Sequence, residues 1–164
     1  MWLIAKAIIR LKFKTEWTHI GGGNDFEELK KQTANLPKNI KINLTGQVSA
    51  NDVPNYYANK QVDLFINAST TEGLPVSVME AFAAGIPALA TDVGGTSELV
   101  NSSTGKLLPA DLTPSILAKE ITRFKNKNSE HTQLLRKNAF AKFENIVDFE
   151  KNTNMLVEYL KKLR

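Results

Sequence analysis

Short apolar runs typical of strands alternate with segments of helical periodicity over residues 1–125. Residues 62–67 form a run rich in β-branched and aromatic side chains, which predicts a buried strand. Apolar and small residues then recur at helical spacing from Val76 to Ala84, and Gly85 followed by Pro87 ends this helix. The pattern predicts a strand, a loop, a helix and a second strand in succession, as in an α/β fold with a mostly parallel sheet.

Helical periodicity dominates the chain after Pro109. Thr113 is suited to cap a helix that has Pro114 at its first position, and residues 126–129 interrupt the helical pattern. Two more helices are predicted over residues 130–164. Their apolar positions are Leu134, Leu135, Ala139, Phe140, Phe143, Phe149, Met155, Leu156, Tyr159 and Leu160.

Composition narrows the chemistry that the chain can support. At 164 residues the chain has the size of one domain, and the absence of cysteine excludes disulfides, a thiol nucleophile and a cysteine metal site. With only two histidines and no carboxylate cluster at ligand spacing, we expect no metal and no cofactor. The net charge of +4 is too small to indicate nucleic acid as a partner. No apolar run has membrane-spanning length and no signal peptide is visible, so we expect a cytoplasmic location.

Two glutamates stand on either side of the start of the predicted central helix. Glu72 lies in the loop before Pro75, and Glu80 lies inside the helix. A helix start presents unpaired backbone N–H groups that suit a phosphate, and Gly73 allows that backbone to come close. Because an ionised carboxylate only accepts hydrogen bonds, each glutamate could hold the hydroxyls of a diol. The alternative is that both glutamates are simply solvated charges.

The pair resembles the Glu-x7-Glu signature of the retaining glycosyltransferases of the GT-B fold, the family called group 1 or family 4. Other segments resemble the same family in order and spacing, over about residues 2–125. They are Trp17–Gly23, Ile40–Val48, Val53–Tyr57, Pro87–Val100 and Gly105–Pro109. The resemblance implies a Rossmann-like, three-layer α/β domain, the C-terminal half of a GT-B enzyme.

The resemblance also implies roles for individual residues. The donor would be a nucleoside-diphosphate sugar, with its base against Gly46, Gln47 and Val48 and its ribose on Glu80. Its diphosphate would lie over Gly73, Leu74 and Pro75 at the helix start, and Glu72 would hold a sugar hydroxyl during catalysis. The acceptor would be a glycan or a lipid-linked molecule, and the anomeric configuration would be retained.

Two elements of the family are not found in this sequence. The first is the N-terminal acceptor domain, a missing partner. The second is the strand and loop that open the donor domain, with the Arg and Lys that clamp the diphosphate, because residues 1–9 already resemble the helix that follows this loop. We therefore expect residues 1–125 to form the donor domain and residues 126–164 to form helices that pack on it or toward the absent domain. Some apolar surface of those helices should be bare, which predicts self-association or poor order at the C-terminus. By itself, the chain is expected to be inactive.

Several alternatives remain open. Gly21, Gly22 and Gly23 follow a strand as in a dinucleotide-binding turn, but the third glycine of that motif would fall at Phe26, which disfavours a nicotinamide enzyme. A nucleotide-sugar epimerase and a non-catalytic domain that binds nucleotide or a partner protein are the rival functions.

The remaining titratable side chains are expected to be structural. His19 is predicted to be satisfied in the core or bonded to a loop, and His131 to be exposed. The basic residues are expected to form a solvated face, with peripheral membrane contact as the alternative. They are Lys119, Arg123, Lys125, Lys127, Lys161, Lys162 and Arg164.

Overall fold

The structure is a computed structural model that describes residues 2–162, apart from the side chains of Phe149, Val157, Leu160 and Lys162. Helices and strands alternate over most of this part of the chain, in agreement with the sequence pattern. In order, the elements are α1 (Trp2–Ile8), β1 (Thr15–Ile20), α2 (Phe26–Gln32), β2 (Ile40–Gly46), α3 (Asp52–Asn59), β3 (Phe65–Asn67), α4 (Val76–Ala83), β4 (Ala88–Thr91), α5 (Thr96–Leu99), β5 (Gly105–Leu108), α6 (Pro114–Lys125), α7 (Ser129–Val147) and α8 (Phe149–Lys162).

All strand pairs in the described chain are parallel, which confirms the predicted α/β class. The strands are divided between two sheets, one of order β1-β2 and one of order β3-β4-β5. In the first sheet Thr15 is paired with Ile40, and in the second Phe65 is paired with Ala88 and Ala88 with Gly105. The division arises because no strand among the described residues lies between β1 and β3.

Helices cover both faces of the three-stranded sheet. On one face, Ile8 of α1 and Leu117 of α6 belong to a core that includes Leu89 of β4. On the other face, Val78 and Phe82 of α4 pack with small residues of β4 and with Ala139 of α7. All four residues of β4 are buried for this reason, and the arrangement has three layers.

The strands of the two sheets run in the same direction. Helix α6 returns from the carboxyl end of β5, and Thr113 caps it as predicted by accepting a hydrogen bond from the N–H of Ile116. At the other end of α6, the Lys125 ammonium lies 5.4 Å from the ring centre of Phe13, just before β1. The amino end of β1 is therefore beside the amino ends of the other sheet.

The last two helices differ in burial. Helix α7 buries Leu135 and Ala139 and donates a hydrogen bond from Arg136 to the carbonyl of Val62, at 2.8 Å. Helix α8 exposes Met155, Leu156 and Tyr159 by 57 to 63%, so bare apolar surface is confirmed at these positions. The side chains of Phe149 and Leu160 lie outside the described residues, and self-association of this helix stays a prediction.

No helix within residues 2–162 is both long and apolar enough to cross a membrane.

Candidate functional site

The loop between β3 and α4, residues 68–75, is fixed to the end of β3 by one buried amide. Asn67 donates from Nδ2 to Oε1 of Glu72 at 2.9 Å and accepts the N–H of Ser69 at 2.9 Å. Asn67 is the last residue of β3 and is 7% exposed. The Glu72 carboxylate is therefore held at the carboxyl end of the strand through one oxygen, and its second oxygen accepts no protein hydrogen bond among the described residues.

The loop between β4 and α5 contacts the backbone of Glu72 and Gly73. The N–H of Gly95 donates to the carbonyl of Gly73 at 2.8 Å. Gly94 has φ +54°, and a Cβ at that position would lie 1.9 Å from the carbonyl oxygen of Glu72. Only glycine fits there, because a side chain would displace the backbone on which Glu72 is mounted.

Helix α4 begins at Val76, where the helical spacing of the sequence begins, and Pro75 occupies the capping position with extended ψ. No side chain caps this helix. Leu74 and Val76 are 41% and 61% exposed, so the first turn is open to solvent. The unpaired N–H groups of that turn, with the positive end of the helix dipole, suit an anion.

A cavity of about 1430 Å³ lies between β1 and β3 and brings the two glutamates together. Glu72, Ser77 and Glu80 all line it on the side where the strands end. Tyr57 lines the same wall. Burial, and after it the negative charge of Glu80, raises the pKa of Tyr57 to about 12, so the phenol stays protonated near the carboxylate.

The proposed base-binding residues belong to the other sheet. Gly46 ends β2 with φ +70°, and its carbonyl accepts the N–H of Gly21 at 2.9 Å. A Cβ on Gly22 would lie 3.5 Å from the backbone nitrogen of Gln47. Gly46, Gln47 and Val48 thus lie at the carboxyl end of β2, next to the glycine loop of residues 21–23. They do not line the cavity that contains Glu72 and Glu80.

His19 corrects the prediction that this side chain is satisfied in the core. Its Nε2 atom is buried and has no hydrogen-bond partner among the described residues. Burial lowers the pKa of His19, which favours the neutral ring. His131 is exposed as predicted, with its Nε2 at 2.6 Å from the Lys127 ammonium.

Charge is distributed unevenly around the cavity. Glu72 and Glu80 are at the carboxyl end, whereas the lysines that line the cavity lie near the amino ends of the strands or at the end of α6, together with Glu16 and Asp63. These lysines are Lys14, Lys41, Lys60 and Lys125. Within residues 2–162, no group of three His, Asp or Glu side chains could hold a metal ion. The site can accept hydroxyl donors and receive an anion at the helix start.

A parallel α/β domain with a polar cleft where its strands end belongs to the broad class of nucleotide-binding folds. Residues 4–142 match the family described as glycosyl transferases group 1, and the chain belongs to that family.

Curated relatives agree with this assignment. The chain is 40% identical over 84 residues to the O-antigen biosynthesis glycosyltransferase WbnH of Escherichia coli, a match that covers 51% of this chain and 22% of WbnH. It is 36% identical over 87 residues to the lipopolysaccharide core biosynthesis mannosyltransferase LpsB of Rhizobium meliloti (strain 1021), covering 51% of this chain and 24% of that protein.

The fold is also that of known structures. Anabaena Alr3699/HepE in complex with UDP superimposes with a TM-score of 0.81 at 22% identity, over 99% of this chain and 45% of that one. The chain thus matches about a quarter of its curated relatives and under half of this structure.

Proposed function

We propose that this chain binds the nucleoside-diphosphate sugar in a glycosyl transfer reaction. The observation that supports the proposal most directly is that Glu72 and Glu80 line one cavity at the carboxyl end of parallel strands, beside the open first turn of α4. The relatives are named as sugar transferases, and one structural neighbour holds UDP.

In this proposal each part of the donor meets a different element. The diphosphate lies over Gly73, Leu74 and Pro75, where the backbone N–H groups and helix dipole favour negative charge. Glu80, one turn further along, accepts hydrogen bonds from the ribose hydroxyls. The free oxygen of Glu72 accepts one from the sugar, which places the anomeric carbon for attack with retention of configuration.

The nucleotide base is assigned to a second surface. Gly46, Gln47 and Val48 end β2 and adjoin the glycine loop. The positive φ of Gly46 turns the chain there so that backbone groups, rather than side chains, face the base.

The reaction needs an acceptor and a way to stabilise the leaving diphosphate. We propose that the acceptor, a glycan or lipid-linked hydroxyl compound, is held by a separate N-terminal domain, as the partial coverage of the relatives suggests. Charge on the departing diphosphate needs positive potential. The four lysines that line the cavity lie away from Glu72 and Glu80, so the proposal assigns the cation to the Arg and Lys of the strand and loop that open the donor half in the family. No cofactor is part of the proposal.

Calorimetric titration of the 164-residue chain with UDP, GDP and ADP tests donor binding without requiring turnover. We expect saturable binding of one nucleotide. Glu80→Gln should weaken it about 10- to 100-fold, because a charged acceptor contributes about 1.5–3 kcal/mol to a hydrogen bond. Glu72→Gln should weaken a nucleotide sugar more than the bare nucleotide.

Glu144→Gln, an exposed carboxylate on α7, is the matched control and should leave affinity unchanged. Equal affinities for the wild type and Glu80→Gln would contradict the assignment of the ribose to Glu80. If neither substitution changed the affinity for a nucleotide sugar, the proposed site would be wrong.

A further inference from the structure

Two adjacent tyrosines on α3 make different contacts. Tyr56 donates from its hydroxyl to Oγ1 of Thr18 at 2.8 Å, which fixes α3 to β1 of the two-stranded sheet. The rings of Tyr56 and Tyr57 pack edge to face, with their centres 6.0 Å apart and their planes at 72°. Both side chains are half-buried. The Tyr57 ring is therefore held by an aromatic neighbour, and its hydroxyl takes no part in that contact.

The Tyr57 hydroxyl has no hydrogen-bond partner among the described residues. In this part of the chain, the one buried side-chain polar atom without a partner is Nε2 of His19, so the Tyr57 oxygen is not sealed from solvent. Tyr57 lines the same cavity as Ser77 and Glu80. Because a phenol in a largely buried position usually finds a partner for its O–H, a partner for Tyr57 has to come from the cavity.

Helix α3 lies between the two surfaces that are assigned to the nucleotide. It begins at Asp52, shortly after the proposed base-binding residues at the end of β2, and it contacts α4, which carries Glu80. A nucleotide that extends from the end of β2 to Glu80 therefore passes close to Tyr57.

The side chains of Tyr57 and Glu80 are complementary toward a hydroxyl group. An ionised carboxylate only accepts hydrogen bonds, whereas a protonated phenol can donate one. Burial and the charge of Glu80 raise the pKa of Tyr57 to about 12, so the phenol keeps its proton at neutral pH. Since a ribose hydroxyl both donates and accepts, it can donate to Glu80 and accept from Tyr57 at the same time.

We propose that Tyr57 is a second ribose-binding residue, which donates a hydrogen bond to the oxygen of a ribose hydroxyl that Glu80 accepts from. The inference rests on the proposed function, because it requires the ribose to lie on Glu80. It extends that function by giving α3 a direct part in selecting nucleotides that carry ribose hydroxyls. Hydrogen bonds that share one hydroxyl polarise and strengthen each other, so the two side chains act as a unit.

A purely structural role explains the Tyr57 oxygen less well. Phenylalanine at this position would keep the edge-to-face contact with Tyr56. The bond that anchors α3 to β1 is made by Tyr56 alone of the two tyrosines. Within the described chain, the hydroxyl of Tyr57 contributes to neither contact.

Calorimetric titration of the 164-residue chain compares Tyr57→Phe with the wild type. The ligands are the nucleoside diphosphate that binds among UDP, GDP and ADP, and its dideoxy analogue, which lacks both ribose hydroxyls. Tyr57→Phe keeps the ring and removes only the hydroxyl. We expect it to weaken binding of the nucleoside diphosphate about 3- to 10-fold, which corresponds to one hydrogen bond. Its affinity for the dideoxy analogue should equal that of the wild type.

The other two tyrosines of the chain provide matched controls. Tyr159→Phe removes a hydroxyl from a side chain that is 61% exposed on α8 and should change neither affinity. Tyr56→Phe breaks the bond to Thr18, and any loosening of α3 that results should weaken binding of both ligands by the same factor. In the Glu80→Gln background, Tyr57→Phe should weaken binding less than it does in the wild type, because both side chains act on one hydroxyl.

The inference is overturned if Tyr57→Phe leaves the affinity for the nucleoside diphosphate unchanged. It is also overturned if both ligands weaken by the same factor, as a structural loss or a contact with the diphosphate would produce. If Glu80→Gln removes the preference for ribose hydroxyls and Tyr57→Phe does not, the proposed function stands and this inference fails. If neither substitution alters that preference, or the wild type binds none of the three nucleotides, both fail.

Discussion

The three-stranded and two-stranded sheets contain similar parallel strands but differ in how they are covered. Every residue of β4 is buried between α6 and α1 on one face and α4 and α7 on the other. No residue of β1 is fully buried, although Trp17 and Ile20 are as apolar as the residues of β4. The difference shows that strand composition alone does not produce a core. A strand at the centre of a sheet is covered by its neighbours, whereas within residues 2–162 β1 pairs with β2 alone.

The largest expected effect on stability comes from truncating an aromatic side chain in each of the two sheets. Phe82→Ala removes a side chain with 0% exposure under the three-stranded sheet and should lower the free energy of unfolding by about 3–5 kcal/mol. Trp17→Ala, at a half-buried position of β1, should cost about half as much or less. Urea denaturation measures both. Equal losses would mean that the two-stranded sheet is as well packed as the other.

A backbone substitution tests how tightly the loop with Glu72 is held by the three-stranded sheet. Gly94→Ala places a Cβ against the carbonyl of Glu72 at a positive φ, and should cost about 2–3 kcal/mol. It should also weaken nucleotide binding, because the loop has to move. Gly73→Ala is the matched control for stability, since a Cβ there meets nothing within 4 Å. Thermal unfolding compares the two variants, and UDP titration of Gly94→Ala against the wild type measures the effect on binding.

Two asparagines, one in each sheet, are expected to differ less in their contribution to the free energy of unfolding. Asn67 is buried at the end of β3 and bonded to Glu72, so Asn67→Ala should destabilise the chain by about 1–2 kcal/mol. Asn43 in β2 donates to Glu16 and Thr18 at a more exposed position, and Asn43→Ala should cost about 0.5 kcal/mol. Denaturant midpoints at constant slope measure both. A larger loss from Asn43→Ala would reverse the ranking of the two sheets.

The smallest effect concerns pH and is confined to the two-stranded sheet. Burial lowers the pKa of His19 below its usual 6.5, so the unfolded chain binds a proton more readily than the folded one. Stability from this group is present above pH 6.5 and is lost as pH falls through the lowered value. His19→Phe should flatten the stability profile in that range, whereas His131→Phe, on the exposed surface of α7, should not. Denaturation at several pH values distinguishes the two variants.

Local parts of the fold and site could be predicted from the sequence because their causes are local. The strand and helix flanking residues 68–75, the Thr113 cap and the spacing of Glu72 and Glu80 depend on neighbours a few residues away. The resemblance to the family then identified the glutamates as a pair, and the structure places both in one cavity.

The features that sequence reasoning missed depend on distant contacts. The contact between Gly94 and Glu72 joins positions more than twenty residues apart. Besides burial, the charge of Glu80 on α4 raises the pKa of Tyr57 on α3. The double glycine at 94–95 was a visible signal of close backbone approach, although the sequence did not show which backbone it would meet. The division of the described strands into two sheets became evident only in the structure.

The contact between Gly94 and Glu72 also limits how this protein can be redesigned. The two loops it joins are separate in the chain, but neither can change its backbone path without a compensating change in the other, since there is no room for even one extra carbon atom between them. A designer who wishes to transplant the loop of Glu72 into a relative has to move residues 68–75 and 92–95 as one unit. Libraries that alter the backbone path of the first loop therefore need matching changes in residues 92–95.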